Sequence, residues 1–183
     1  MEATITYLEM TSPDQLVPGR EVAGPALEWV DRTCRDLPAV QARIGAPYGW
    51  RAARLSPEEW ERKLERDPYD YYLIRHEDEI AGMLAVHPQD DGDVEIETFG
   101  LVPEFVGRGL GGHALTLCVR QAWATTPRDG GPARRVWLHT SSADNPAALP
   151  NYRARGFRPY RTRTETRTET QTETEPRKDT ETA

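Results

Sequence analysis

Val94-Glu95-Ile96-Glu97-Thr98-Phe99-Gly100-Leu101-Val102 runs into Pro103-Glu104-Phe105-Val106-Gly107-Arg108-Gly109-Leu110-Gly111-Gly112. The two stretches read as a strand, a glycine-rich turn and the opening of a helix. A helix start leaves backbone N–H groups without carbonyl partners, and the helix dipole adds partial positive charge there. Glycines let that bare backbone approach an anion. The helix is expected over Gly109 to Trp123. Leu110, Ala114, Leu117 and Cys118, with Leu115, Val119 and Ala122, give it an apolar face. Arg135 to Thr140 reads as the next strand, which makes a β-α-β unit with a parallel pair.

Upstream, Tyr71 to Arg75 and Ile80 to His87 read as an antiparallel hairpin joined by His76-Glu77-Asp78-Glu79, with Gln89 to Asp93 as the turn into the quoted strand. Ser56-Pro57-Glu58-Glu59 opens a helix running to about Arg66: serine caps, proline fits the first turn, and Glu59 completes a capping box. Ala26 to Ile44, with Leu27, Val30, Leu37 and Val40, is expected as one or two short helices. Ala46 to Arg54 is irregular. Thr4 to Glu9 reads as a first strand, and Ser12 to Gly24, broken by Pro13, Pro18 and two glycines, as a loop. Downstream, Ala147 to Arg155 is a short helix interrupted by Pro150, and Phe157 to about Thr164 is a last strand. Residues 1–160 thus form one domain. Residues 161–183 form a Thr/Glu/Arg tail whose first residues finish the last strand and whose remainder lacks apolar residues to bury, so it is expected to be disordered.

The 183 residues suit one domain of ordinary size. A net charge of −7 argues against a nucleic-acid partner, whose domain would carry a basic face. Cys34 and Cys118 are each expected in a helix among apolar neighbours, as buried thiols of a reducing compartment; a disulfide between them stays open. No apolar run approaches the ~20 residues of a membrane span, and the acidic start, with Glu2, does not resemble a signal peptide. A cytoplasmic protein is expected, with no membrane partner, as a monomer or homodimer. His76, His87, His113 and His139 show no metal-ligand spacing, so no metal is expected.

Gly107, Gly109 and Gly112 fit G-x-G-x-x-G, yet the dinucleotide reading fails on context. That fingerprint places its first glycine close behind the strand and an acidic residue about 20 positions on, at the next strand's end. Here Pro103 to Val106 intervene, and the residues near Gly131 and Pro132 offer no such acid. A Walker loop fails because no Gly-Lys-Ser/Thr follows. A second stretch, Asn145-Pro146-Ala147-Ala148-Leu149-Pro150-Asn151-Tyr152-Arg153-Ala154-Arg155-Gly156-Phe157, supplies an amide and a phenol shortly after the next strand.

Together the two stretches resemble the GNAT superfamily of acyl-CoA-dependent N-acyltransferases. Gly109 and Gly111 fill the glycine places of the family's Gln/Arg-x-x-Gly-x-Gly/Ala motif, Arg108 fills an often basic place, and Val106 departs at the Gln/Arg place. Asn145, Ala148, Tyr152, Gly156 and Phe157 match Asn-x-x-Ala-x-x-x-Tyr-x-x-x-Gly-Phe. The resemblance covers roughly Tyr71 to Tyr160. It implies an α/β (α+β) fold: a mixed, mostly antiparallel sheet with a splayed parallel strand pair, flanked by helices.

The resemblance further implies that acetyl-CoA lies between Val94–Val102 and Arg135–Thr140 as acyl donor. Backbone groups of Phe99, Gly100, Leu101 and Val102 would meet the pantetheine arm. The turn with Gly107, Arg108, Gly109, Leu110, Gly111 and Gly112 would hold the pyrophosphate. Asn145 would stand near the pantetheine or cap the last helix. An amine would attack the thioester directly, through a tetrahedral intermediate. Tyr152 resembles the family's general acid, and a phenol is protonated at neutral pH and can donate to a forming thiolate. Glu95 stands fourteen residues before Gly109, the spacing of the strand glutamate used as base in histone-type members. Glu97 shares its face by strand alternation unless a bulge intervenes. An ordinary carboxylate is a weak base for an ammonium unless buried or coupled to another, and a water chain is an alternative base.

The acceptor half is expected in about Ala26 to Arg66. There Tyr48, Trp50, Arg51 and Arg54 combine aromatic and cationic character, and an arginine fork would suit an acceptor carboxylate. The acceptor is an unidentified small-molecule or peptide amine. A non-catalytic acyl-CoA sensor of the same fold is the competing reading, and O-acyl transfer stays open.

Overall fold

A computed structural model describes residues 2–166 of the chain. In chain order the elements are β1 (Glu2–Met10), β2 (Pro25–Val30), α1 (Asp36–Gly45), α2 (Pro57–Arg66), β3 (Asp70–His76), β4 (Glu79–Pro88), β5 (Asp93–Leu101), α3 (Gly111–Ala124), β6 (Arg135–Ser141), α4 (Ala148–Ala154) and β7 (Arg158–Thr166). The strands form one sheet in the order β2-β3-β4-β5-β6-β1-β7. Every neighbouring pair is antiparallel except β5 and β6.

Most local expectations hold. Ser56 caps α2, accepting from Glu59 N while the Glu59 side chain accepts from the Ser56 amide. The β3–β4 hairpin turns at Glu77, the residue with φ 55°. Three expectations change. Pro25–Val30 is an edge strand paired with β3, where a helix was expected from Ala26. Its apolar residues Leu27 and Val30 are consistent with either period in so short a segment. Cys34 lies in the loop before α1, outside any helix, and both cysteines are free thiols. The helix α3 begins at Gly111, because Gly107 and Gly109 take φ of 77° and 75° and keep the turn non-helical. The strand β7 carries the fold through Thr166; the rest of the expected tail lies outside the described residues.

The parallel β5–β6 ladder is short. It joins Asp93 with Arg135, Val94 with Val136 and Glu95 with Trp137, then stops. Beyond that point β6 follows β1, to which it is paired from Val136 to Ser141. A bulge sets the facing of β5: Val86 opposes Ile96, while Ala85 opposes Thr98, leaving Glu97 as the extra residue. A bulge of one residue resets which face each later side chain meets. Thr98 and Gly100 therefore lie on the face of Glu95. There Gln41 of α1 reaches Thr98 at 3.4 Å, and Ile44 packs where a Cβ on Gly100 would stand 2.4 Å away. Val94, Ile96, Phe99, Val136 and Leu138 turn to the other face, toward α3 and α4. The core spans both faces, with Met83, Leu84, Val86, Leu115 and Val119 fully enclosed.

The segment between β1 and β2 is tied down. A 3₁₀ turn at Pro13–Gln15 is capped by Ser12. Val17 N donates to Arg155 O at 2.9 Å, and Gly19 N donates to the hydroxyl of Thr116, which itself donates to Gly112 O. Gly156, at φ 101°, makes this possible, since a Cβ there would stand 2.0 Å from Gln15 O. Gly156→Ala combines an unfavourable left-handed φ with a backbone clash. It should cost about 3 kcal/mol or more in urea unfolding; an unchanged unfolding midpoint would contradict this packing.

Candidate active site

Where β5 and β6 part, the sheet has a gap, and backbone alternation says which groups look into it. In an antiparallel pair, opposed residues alternately exchange hydrogen bonds and turn their N–H and C=O away. Val102 N donates to Ala81 O at 2.8 Å, so Val102 and, two residues back, Gly100 spend their backbone groups on β4. Phe99 and Leu101 have theirs turned from β4 toward the gap. Of the four residues expected along a pantetheine arm, these two have the right facing.

The glycine turn lies beyond the end of β5. Leu110 precedes α3 without offering a side-chain cap, so the amides of Gly111, Gly112 and His113 lack partners within the helix. A Cβ on Gly107 would meet no atom within 4 Å, and the Arg108 guanidinium folds back to 4.6 Å from the Phe105 ring. Two arginines that sequence reading missed approach this turn. A Cβ on Gly112 would meet Arg155 Nη1 at 2.4 Å, and one on Gly109 would lie 3.6 Å from Arg20 Nη2. The Nε of Arg155 is buried and has no hydrogen-bond partner in the protein. Neither residue carried a signal in its local pattern. They meet the turn because Thr116 and the Arg155 carbonyl anchor the loop that holds Arg20. Val106 is exposed and contributes no polar contact. The donor set of bare amides plus guanidinium groups suits a pyrophosphate.

Tyr152 sits in α4, 7% exposed, on the Phe99 face of the sheet. Its ring meets Phe99 edge-on at 6.4 Å between centroids and Phe157 at 6.1 Å. Burial, reinforced by Asp144 and Cys118, raises its pKa and keeps the phenol protonated. Asn151 Nδ2 donates to Gly111 O at 3.1 Å, tying α4 to the start of α3. Asn145 does not cap α4, whose N-cap is Ala147 with no side-chain bond; its Oδ1 instead accepts from Ala147 N at 2.9 Å in a turn before the helix. It also lines a cavity of about 390 Å³ with Thr4, Thr140, Asp144 and Leu149.

The carboxylates lie on the opposite face. Glu95, 8% exposed, stands at the last β5–β6 pair, with Gln89 Nε2 donating to its Oε2 at 3.0 Å. Burial pushes its pKa up, but contacts with His139 and His87 outweigh that and hold the carboxyl below its ordinary range. Glu97 is raised: burial dominates over the opposing effects of Lys63 and the Thr98 hydroxyl, and the Glu95 charge adds to the rise. The two acids lie on one face, and the bulge that the alternation left open falls at Glu97 itself. Tyr69 stands 5.1 Å from the His87 ring, with Lys63 over its own ring at 5.3 Å. Toward the acceptor half, Trp50 Nε1 donates to Asp144 Oδ1 at 2.8 Å and Arg54 Nη2 to Gly49 O at 3.1 Å, while Arg51 is exposed.

These features agree with the comparisons to known proteins. Residues 34–157 match the Acetyltransferase (GNAT) family model, and the chain belongs to that family. No curated protein matches it. Among solved structures it is similar to a GCN5-related N-acetyltransferase from Kribbella flavida, at 24% identity and a TM-score of 0.59, over 88% of this chain and 56% of that one. It is also similar to a GCN5-related N-acetyltransferase from Sphaerobacter thermophilus, at 16% identity and 0.58, over 87% and 49%. A tandem GNAT protein from the clavulanic acid biosynthesis pathway matches at 20% and 0.52, over 90% and 53%. The chain thus spans about half the length of these three, and at such identities they share its fold. Among the described residues no group of His, Cys, Asp and Glu is arranged to hold a metal ion, and no helix is long and apolar enough to cross a membrane.

The opposite shifts of the two glutamates predict opposite pH effects. Glu97, raised in the folded state, favours folding when protonated, and that contribution is lost as pH rises through its folded pKa. Glu95, lowered, contributes above its unfolded pKa and loses that contribution as pH falls through its folded value. In thermal melts Glu97→Gln should stabilise at pH 8 and become neutral near pH 4, whereas Glu95→Gln should destabilise at pH 8. Equal effects of either substitution at both pH values would contradict these environments.

Proposed function

We propose that this GNAT-family domain moves an acetyl group from acetyl-CoA to a primary amine. The observation that carries the reading is the three-pair parallel ladder, which opens a gap bordered by Phe99 and Leu101 backbone and flanked by the glycine turn and Tyr152. Bound there, acetyl-CoA supplies an activated acyl carbon with a thiolate leaving group.

The amides of Gly107 to His113, with Arg20 and Arg155, bind the pyrophosphate and fix the position of the arm. Phe99 and Leu101 pair with the arm's amides as a missing strand would. Tyr152 holds its proton because of its burial and donates it toward the departing sulfur. The carboxylates of Glu95 and Glu97 face the other side of the sheet, where the amine arrives. They favour a cationic acceptor there and assist its deprotonation. Arg51, exposed beside Trp50, remains the candidate contact for an acceptor carboxylate.

A panel of amines with acetyl-CoA and thiol-release detection tests the reading. It should include polyamines, aminoglycosides, amino acids and basic peptides. At least one should drive CoA release above the rate with acetyl-CoA alone. Acetyl-CoA binding with no amine-dependent release would favour the sensor reading instead. Tyr152→Phe should lower kcat by about 10²-fold or more, as loss of a general acid does, with acetyl-CoA Kd changed by less than about threefold. Unchanged turnover would remove Tyr152 from the chemistry.

A further inference from the structure

Glu95 is built into the sheet as a fixed carboxylate. Its Oε1 lies 3.6 Å from His139 Nδ1 and its Oε2 3.5 Å from His87 Nδ1. Gln89 sets the orientation. Its Oε1 accepts from Trp137 Nε1 at 3.0 Å, and because an indole N–H only donates, the Gln89 amide must turn its NH₂ toward Glu95 and His87. His87 is enclosed further by Arg128, whose Nη2 stands 3.4 Å from His87 Nε2. Side-chain exposure separates the three groups: 10% for Glu95, 18% for His87 and 45% for His139.

Position in the fold points the same way. His139 is two residues past Trp137, the last β6 residue paired with β5, so it stands on the Glu95 face at the rim of the gap. Glu95 and Glu97 face it from β5, and Tyr7 from β1 at 5.6 Å between rings. Trp137 flanks it on its own strand. Behind Tyr7 lie Tyr160 and Arg161 of β7, and Arg135 sits between Trp137 and Tyr160. His87 of β4 lies behind Glu95. A buried carboxylate held this firmly is a weak proton acceptor, whereas an imidazole, with an ordinary pKa near 6.5, titrates close to neutral pH. Its charged form is stabilised by a carboxylate at its other nitrogen.

We propose that His139, oriented through Nδ1 by Glu95, is the base that takes the proton from the acceptor's ammonium. The inference rests on the acyl transfer proposed above and deepens it. One ammonium proton passes to His139 and on to solvent. The freed amine adds to the thioester carbonyl, forming the C–N bond of a tetrahedral intermediate, and collapse of that intermediate breaks the C–S bond. The second nitrogen proton passes to solvent as the product amide forms, while Tyr152 gives its proton to the departing thiolate and regains one from solvent after CoA leaves. Glu95 is then a positioning residue.

Two readouts test this. Histidine side-chain NMR titrations need no acceptor: Glu95→Gln should lower the His139 midpoint by about one pH unit, the effect of losing an adjacent carboxylate. An unchanged midpoint would overturn the pairing. With an amine that supports thiol release, His139→Gln should lower kcat/KM by about 10²-fold and abolish the acidic limb of its pH profile, with acetyl-CoA Kd preserved. A wild-type rate and acidic limb in His139→Gln would overturn the proposal while leaving acetyl transfer standing. Failure of the wild-type protein to bind acetyl-CoA would instead strike the proposed function, and calorimetry reads that separately.

Discussion

Everything at this site follows from the competition of two strands for β6. Three residue pairs join β6 to β5, and six join it to β1. The longer antiparallel ladder takes β6 away from β5 after Trp137, and β5, bulged at Glu97, cannot follow. An unpaired sheet edge normally costs stability or invites another strand. Here the N–H and C=O groups of Phe99 and Leu101 face the gap, where an amide-bearing chain could satisfy them. Placing β1 between β6 and β7 also brings Tyr7 and Glu9 beside Trp137 and His139, so the first strand helps build the face of the site.

The bulge divides the chemistry between two faces. Without the extra residue at Glu97, Phe99 would point to the face of Glu95 and could not meet Tyr152. With it, the protonated phenol stands on the side of α3 and α4, and the acids and His139 on the side of α1 and α2. The gap between β5 and β6 is the passage that connects them. Opposite pKa directions for Glu95 and Glu97 reflect different environments for neighbouring acids on one strand: one is buried beside two histidines, and the other is half-buried with a lysine as its main offset.

Much of this was legible in the residues. The capping box at Ser56, the hairpin before Val94, the glycine turn and Tyr152 are local patterns, and local patterns dictate local structure. The edge strand at Pro25–Val30 was not legible, because six residues with two apolar positions fit either period and pairing with β3 settles the matter. Nor were Arg20 and Arg155 at the turn, or His87 and His139 around Glu95. Arg20 meets Gly109 across 89 positions, Arg155 meets Gly112 across 43 and His139 meets Glu95 across 44, contacts that depend on the order of strands in the sheet, while His87 meets Glu95 across the β4–β5 turn. Val106 lacks the side chain expected of the family motif. The guanidinium groups that approach the turn come instead from the β1–β2 loop and the end of α4.

The most direct test is a crystal structure of the protein with CoA. The expected result places the pantetheine arm between Phe99–Leu101 and the diverging end of β6, with its pyrophosphate on the amides of Gly107 to His113 beside Arg20 and Arg155. CoA bound elsewhere, or a β5–β6 gap filled by side chains while CoA occupies another surface, would contradict the central claim that this gap is the cofactor's slot.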